Sequence, residues 1–204
     1  MQDGQNLFDP SRAFSGQTWN GLATLNRLIE AKLISPLIVV AIDNTPERMN
    51  EYIPENKGDE YLDYIVEELK PLIDDSFRTK KTAANTGIMG SSLGGLISLY
   101  AGLRHSETFS LVGALSPSIW WNKRSIIKSY QRSSQLPLKV YLDSGTDGGE
   151  EPQDVLDLCN VLFQRGYNQS ENLFGFIQDG AMHEERYWAM RFPIALKFLF
   201  PYKP

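Results

Sequence analysis

Short apolar runs rich in β-branched residues alternate along the chain with stretches of helical periodicity, and this alternation constrains the fold more than any other feature. The run "PLIVVAIDN" at 36–44 is continuously apolar, the pattern of a strand buried on both faces. "TGIMGSS" (86–92), "FSLVGALSP" (109–117), "LKVYLDSG" (138–145) and "LFGFIQDG" (173–180) are further strand candidates. Most end in Asp, Ser or Gly, which suits parallel strands whose C-terminal ends carry functional loops. Helices are predicted at 20–34, at 62–73, at 93–104, at 153–165 and at 185–199. In the second of these Leu62, Ile65, Val66, Leu69, Leu72 and Ile73 recur at helical spacing. The reading is an α/β fold, a mostly parallel sheet with helices on both faces.

With 204 residues the chain suits a single domain over 1–204 with a substantial core, and it shows no internal repeat, low-complexity tract or linker. The net charge is −5 and no Lys/Arg cluster stands out, which argues against nucleic acid as a partner. The single cysteine, Cys159, has no internal disulfide partner and sits in an apolar run as a small hydrophobe. No apolar segment approaches the roughly 18 residues of a membrane span. The start of the sequence lacks a basic-then-apolar leader, so a cytoplasmic address is the expectation.

Chemistry concentrates in "NTGIMGSSLGGLISLY" (85–100), where two serines stand side by side between glycines. The frame Gly90-Ser91-Ser92-Leu93-Gly94 fits G-x-S-x-G only with Ser92 at its centre, because Ser91 would be flanked by Met89 and Leu93. Glycines two positions either side serve a sharp strand-to-helix turn, and the flanking pattern supplies both the strand and the helix. Ser92 is therefore the candidate nucleophile, against the plainer reading of a small-residue turn without chemistry.

A serine nucleophile needs a general base, and there are two histidines. His105 lies at the far end of the helix that starts at Ser92, roughly 18 Å away at about 1.5 Å per residue, and reads as a helix C-terminal residue. His183, in "DGAMHEERYWAMRF", lies after the last strand candidate and before the last helix, which fits the chain order Ser, acid, His. The acid should follow the strand at 138–145, and "LDSGTDGGEEPQD" offers several carboxylates. Asp143 is still within the strand, Asp147 lies directly beyond it and is the first choice, Glu150 is close behind, and Glu151 stays open. The oxyanion donors expected are the N–H of Leu93, after the nucleophile, and that of Gln5 in "MQDGQNLFDP", with Asn6 next. Trp120, Trp121 and Tyr187 are candidates for lining a substrate pocket, Trp188 reads as core, and Arg48 and Glu51 as an ion pair near the site.

Taken together, "DGQNLFD" (3–9), "ERMNEYIP" (47–54), "GIMGSSLGGLISLY" (87–100), "LSPSIWW" (115–121), "VYLDSG" (140–145) and "MHEERYWAMRFPIALKFLFP" (182–201) resemble the "putative esterase" family of α/β-hydrolases. That family includes carboxylesterases and relatives of siderophore, feruloyl and acetyl xylan esterases. The resemblance spans nearly the whole chain. It implies an α/β-hydrolase fold and hydrolysis of small or soluble acyl esters by a Ser/His/acid triad through an acyl-enzyme, with no metal and no cofactor. By position Ser92 matches the nucleophile and His183 the base. A feruloyl or siderophore-type esterase, a thioesterase, and a non-catalytic scaffold binding a ligand or partner are the competing readings, and no membrane partner is implied. In such relatives "DGQNLFD" follows a buried central strand, whereas here it opens the sequence. The resemblance therefore implies a sheet lacking its first strands, and either a shortened sequence or a homo-oligomer formed through the sheet edge.

Overall fold

A computed structural model describes residues 1–203. Four parallel strands, β1 (Gly87–Ser91), β2 (Leu111–Leu115), β3 (Lys139–Gly145) and β4 (Leu173–Gln178), form one sheet in the order β1-β2-β3-β4. Gly90 stands opposite Ala114, Leu115 opposite Asp143 and Gly145 opposite Gln178, so the C-terminal ends of the strands emerge along one edge. The helices are α1 (Gly21–Glu30), α2 (Arg48–Glu51), α3 (Asp59–Tyr64), α4 (Lys70–Ser76), α5 (Leu93–Arg104), α6 (Trp121–Arg132), α7 (Pro152–Gln164) and α8 (Glu185–Leu199), with a π-helical turn at Ile65–Leu69 joining α3 to α4.

The strands are mostly apolar because both faces are covered. Ile88, Val112, Val140 and Leu142 pack with Leu96, Ile97 and Leu99 of α5 and with Leu158 and Leu162 of α7. The alternate residues Met89, Leu111, Leu115 and Tyr141 pack on the other face with Leu25 and Leu28 of α1 and with Phe192, Leu196 and Leu199 of α8. Period-2 alternation feeds two separate cores in this way. Cys159 lies among the apolar residues of the first core, and burial pushes its thiol up to about 11, as a packing role requires.

The apolar run at 36–44 departs from expectation. It is extended but joins no ladder, and its residues are half-buried or exposed rather than buried on both faces. Its partner is Met1–Gly4: the Met1 ammonium donates to Val40 O (2.6 Å), Ile42 N–H to Met1 O (2.9 Å) and Gly4 N–H to Ile42 O (2.7 Å). On the other side Gln2 N–H donates to Met89 O of β1 (2.9 Å). Met1–Gly4 thus forms a short bridge between 36–44 and the sheet. Beside that bridge the two backbones part around a cavity of about 480 Å³, lined by Leu37, Val39, Ile65, Met89, Leu196 and Phe200 among others. A run that reads as a central strand is left at a margin because nothing fills the space between it and β1.

Candidate active site

The turn from β1 into α5 determines which serine is presented. Ser91 is still in β1 and buried, whereas Ser92 is half-buried and holds φ 55°, ψ −125°. That conformation is a costly one for a residue with a Cβ, on the order of 1–3 kcal/mol, and the surroundings enforce it. Ser92 N–H donates to Leu115 O (3.0 Å), and Ser92 O accepts from Leu96 N–H (3.0 Å) and Ser118 N–H (3.0 Å). A Cβ on Gly90 would lie 2.6 Å from the Gly94 carbonyl carbon, which is why the first glycine of the frame is obligatory. The Ser92 hydroxyl lies 3.3 Å from that of Ser118. Leu93 occupies the first turn of α5, where N–H groups have no intrahelical acceptor and the helix dipole favours negative charge.

Gln5 sits in the 3-10 turn Gly4–Asn6, closed by hydrogen bonds from Asn6 N–H to Asp3 O (3.0 Å) and from Leu7 N–H to Gly4 O (3.1 Å). Its side chain accepts from Asn44 N–H (3.1 Å). The turn is clamped through Asp3, which is buried and at positive φ (52°). Arg48 grips it with two parallel bonds, Nε to Oδ1 (2.6 Å) and Nη2 to Oδ2 (2.7 Å), and Asn44 Nδ2 adds a third (2.7 Å). The expected Arg48–Glu51 pair is thereby corrected: Arg48 turns inward to the desolvated Asp3, and Glu51 accepts instead from the Thr45 hydroxyl (2.7 Å). A buried carboxylate without a partner would cost far more than an exposed one, so Asp3 takes the guanidinium.

At the far end of the sheet the structure brings His183 to Glu150. Nδ1 of His183 stands 3.5 Å from Glu150 Oε2, longer than a tight hydrogen bond. The imidazole meets the Trp188 ring edge-on at 5.0 Å. Asp147, the first sequence choice for the acid, is exposed and meets the His183 loop through its backbone, its N–H donating to Ala181 O (3.0 Å). Glu151 is exposed at the N-cap of α7. The loop carrying His183 lies directly on β3, where a Cβ at Gly145 would fall 2.0 Å from Ala181 O.

Glu150 is the better-built carboxylate. It is 2% exposed and its oxygens are taken by Ser116 Oγ at Oε1, Ser144 Oγ at Oε2 (3.1 Å) and Arg191 Nη2 at Oε1 (3.4 Å). Burial alone would raise its pKa, but the His183 and Ser116 contacts and the charges of His183 and Arg191 outweigh this and hold it below the usual carboxylate value. Asp143 ends inside β3, as the sequence suggests, and is pushed up to about 6 by burial, which Arg191, the Tyr141 hydroxyl and the Ser116 N–H only partly oppose.

Trp188 is core, and its indole N–H donates to Ser116 Oγ (3.0 Å). Trp120 is 52% exposed beside the half-buried Trp121, with ring centroids 5.6 Å apart. Tyr187 is half-buried and lies under Arg186 (4.6 Å). His105 caps α5 and is buried, with Nε2 3.4 Å from Asp63. Ser116, Ser118 and Arg191 lie in segments that resemble the family, but nothing in the sequence marks them individually as site residues. Each becomes visible only when β2, β3 and α8 are brought together. Among the described residues no group of three or more His, Cys, Asp or Glu side chains is disposed to hold a metal ion, and no helix is long and apolar enough to cross a membrane.

The family described as "Putative esterase" matches residues 2–199. Protein YbbA of Bacillus subtilis is 25% identical over 98% of this chain and 84% of its own length. The iron(III) enterobactin esterase of Escherichia coli K12 is 36% identical over 80% of this chain and 42% of its own. Among solved structures, the enterobactin esterase FES of Shigella flexneri, crystallised in the presence of 2,3-di-hydroxy-N-benzoyl-serine, superposes with a TM-score of 0.80 at 25% identity, over 97% of this chain and 50% of that one. The chain therefore spans about half the length of the enterobactin esterases it resembles.

Proposed function

The chain belongs to the "Putative esterase" family, and we propose that it is a serine carboxylesterase acting on small or soluble acyl esters. The observation that carries this reading is the backbone of Ser92, held at φ 55°, ψ −125° between β1 and the first turn of α5. Ser92 Oγ attacks the ester carbonyl while His183 takes its proton. Glu150 holds the imidazole through Nδ1 and stabilises the imidazolium. The N–H groups of Leu93 and Gln5 receive the oxyanion. His183 then protonates the leaving alcohol, and water activated by the same imidazole releases the acyl group. Activity falls at acid pH as His183 takes up a proton.

Trp120 and Trp121 line the substrate side, where an exposed indole offers an apolar platform to an acyl or aromatic group. Catechol-bearing siderophore esters lead the substrate panel because enterobactin esterases are among the relatives, with feruloyl esters and thioesters as the other arms. A cytoplasmic address and association of two copies through the open edge of β1 belong to the same proposal.

The test is labelling with a fluorophosphonate probe and mapping of the adduct by peptide mass spectrometry. One adduct on Ser92, lost in Ser92→Ala and in His183→Ala, supports the reading. A folded protein that takes no label is a ligand-binding scaffold instead.

A further inference from the structure

Two buried carboxylates, Asp143 and Glu150, converge beneath His183, and one buried cation stands between them. Arg191, 1% exposed on α8, places Nε 3.0 Å from Asp143 Oδ1 and Nη2 3.4 Å from Glu150 Oε1. The same Nη2 donates to Ser116 Oγ (2.6 Å). Ser116, strained at φ 41°, also accepts from the Trp188 indole, and its hydroxyl donates to Glu150 Oε1. Asp143 is further held by the Tyr141 hydroxyl (2.9 Å) and the Ser116 N–H (3.0 Å).

We infer that Arg191 is a positioning residue: by bridging Asp143, Ser116 and Glu150 it keeps the Glu150 carboxylate ionised and aimed at His183. The inference rests on the reading of His183 as the general base. Two anions this close in a dry site cannot both stay ionised without a cation. Arg191 is the cation that meets both. The groups facing Glu150 are His183 from the loop before α8, Arg191 from α8, Ser116 just after β2, Ser144 from β3, and the charge of Asp143 from β3. Without Arg191 the Glu150–His183 pair loses the positive charge beside it, so it binds a proton at higher pH even where residue 143 is neutral.

The experiment compares Asp143→Asn with Asp143→Asn/Arg191→Met, so that deleting the cation leaves no orphan charge at 143. The acid limb of kcat/KM is expected at higher pH in the double variant, by about one unit or more. The His183 imidazole, one of two histidines, is expected to titrate at correspondingly higher pH by NMR. The NMR reading needs no turnover. A folded but inactive protein that shows the shift upholds the role of Arg191 and counts against the esterase reading alone. Coincident limbs and coincident His183 curves overturn the inference, and a uniform loss of rate at every pH reduces Arg191 to a structural residue. Arg191→Lys keeps the charge without the fork and serves if the double variant does not fold. Its limb is expected within about 0.3 unit of wild type while kcat drops roughly tenfold or more, and an unchanged kcat overturns the positioning role.

Discussion

Glu150 lies just beyond Asp147 in one acidic loop, but only Glu150 is desolvated, hydrogen-bonded and within reach of His183 Nδ1. Neutralising it removes the partner of the imidazolium, so Glu150→Gln is expected to lower kcat by about 10²–10⁴-fold, whereas Asp147→Asn stays within about twofold, measured on the same ester. Its charge also bears on stability. Glu150 is held below its unfolded value, so its contribution is complete above the unfolded pKa, about 4.3, and is lost as pH falls through the lower folded value. Asp143, raised to about 6 in part by the Glu150 charge, works in the opposite sense, but its change falls at higher pH than the window in which Glu150 takes up its proton. The difference in unfolding free energy between wild type and Glu150→Gln should therefore shrink below about pH 4. A difference constant from pH 7 to pH 3 would contradict the ionised, paired carboxylate.

At the scale of elements, the site depends on two places where backbones are forced into unusual positions. The first is the contact of Gly145 at the end of β3 with the loop before α8. A Cβ there meets backbone rather than a yielding side chain, so Gly145→Ala must displace His183. It is expected to cost about tenfold or more in kcat with little change in KM, since a misplacement of about 1 Å in a general base is worth up to roughly 10²-fold. The second is the start of α6, where Asn122, Lys123 and Arg124 all hold positive φ (46°, 54°, 63°). Asn122 and Arg124 are pinned by Glu55 (2.8 Å) and Asp154 (2.9 Å), while Lys123 is exposed. Lys123→Gly is expected to stabilise the fold by about 0.5–1 kcal/mol in urea titration, with relief of the left-handed backbone exceeding the entropy of the added glycine.

Neither place is legible in the sequence, and the reason is physical. Ser92, His183 and the bounds of α5 and α8 follow from local pattern, because a glycine frame and a 3.6-residue period are properties of consecutive residues. The choice of Glu150 over Asp147, the turn of Arg48 to Asp3 and the bridge made by Arg191 depend on which distant segments desolvate a charge, and no spacing along the chain records that. The run 36–44 shows the converse. Its composition is that of a central strand, but strandedness is a property of neighbours, and one of its neighbours is a cavity.

For the whole molecule, that cavity is the largest departure from a closed α/β sheet. The backbone of 36–42 and that of β1 both line it, and leucine and phenylalanine side chains of α8 and its end form part of its wall. Met1 sits at its margin. Met1 and Gly4 bond to Val40 and Ile42 on one side and Gln2 N–H donates to Met89 O on the other, so the segment lies between two backbones as a central strand does. An extended apolar segment joined in line with Met1 would continue those bonds through the cavity. Fusing about five β-branched residues ahead of Met1 is therefore expected to raise Tm by about 4 °C or more over a fusion of equal length in Gly and Ser. If association of two copies uses the same edge, the apolar fusion also abolishes it in sedimentation velocity, while the Gly/Ser fusion leaves it intact. Equal Tm values for the two fusions would mean that the space between β1 and 36–42 is not a strand site, and that the sheet is complete with four strands.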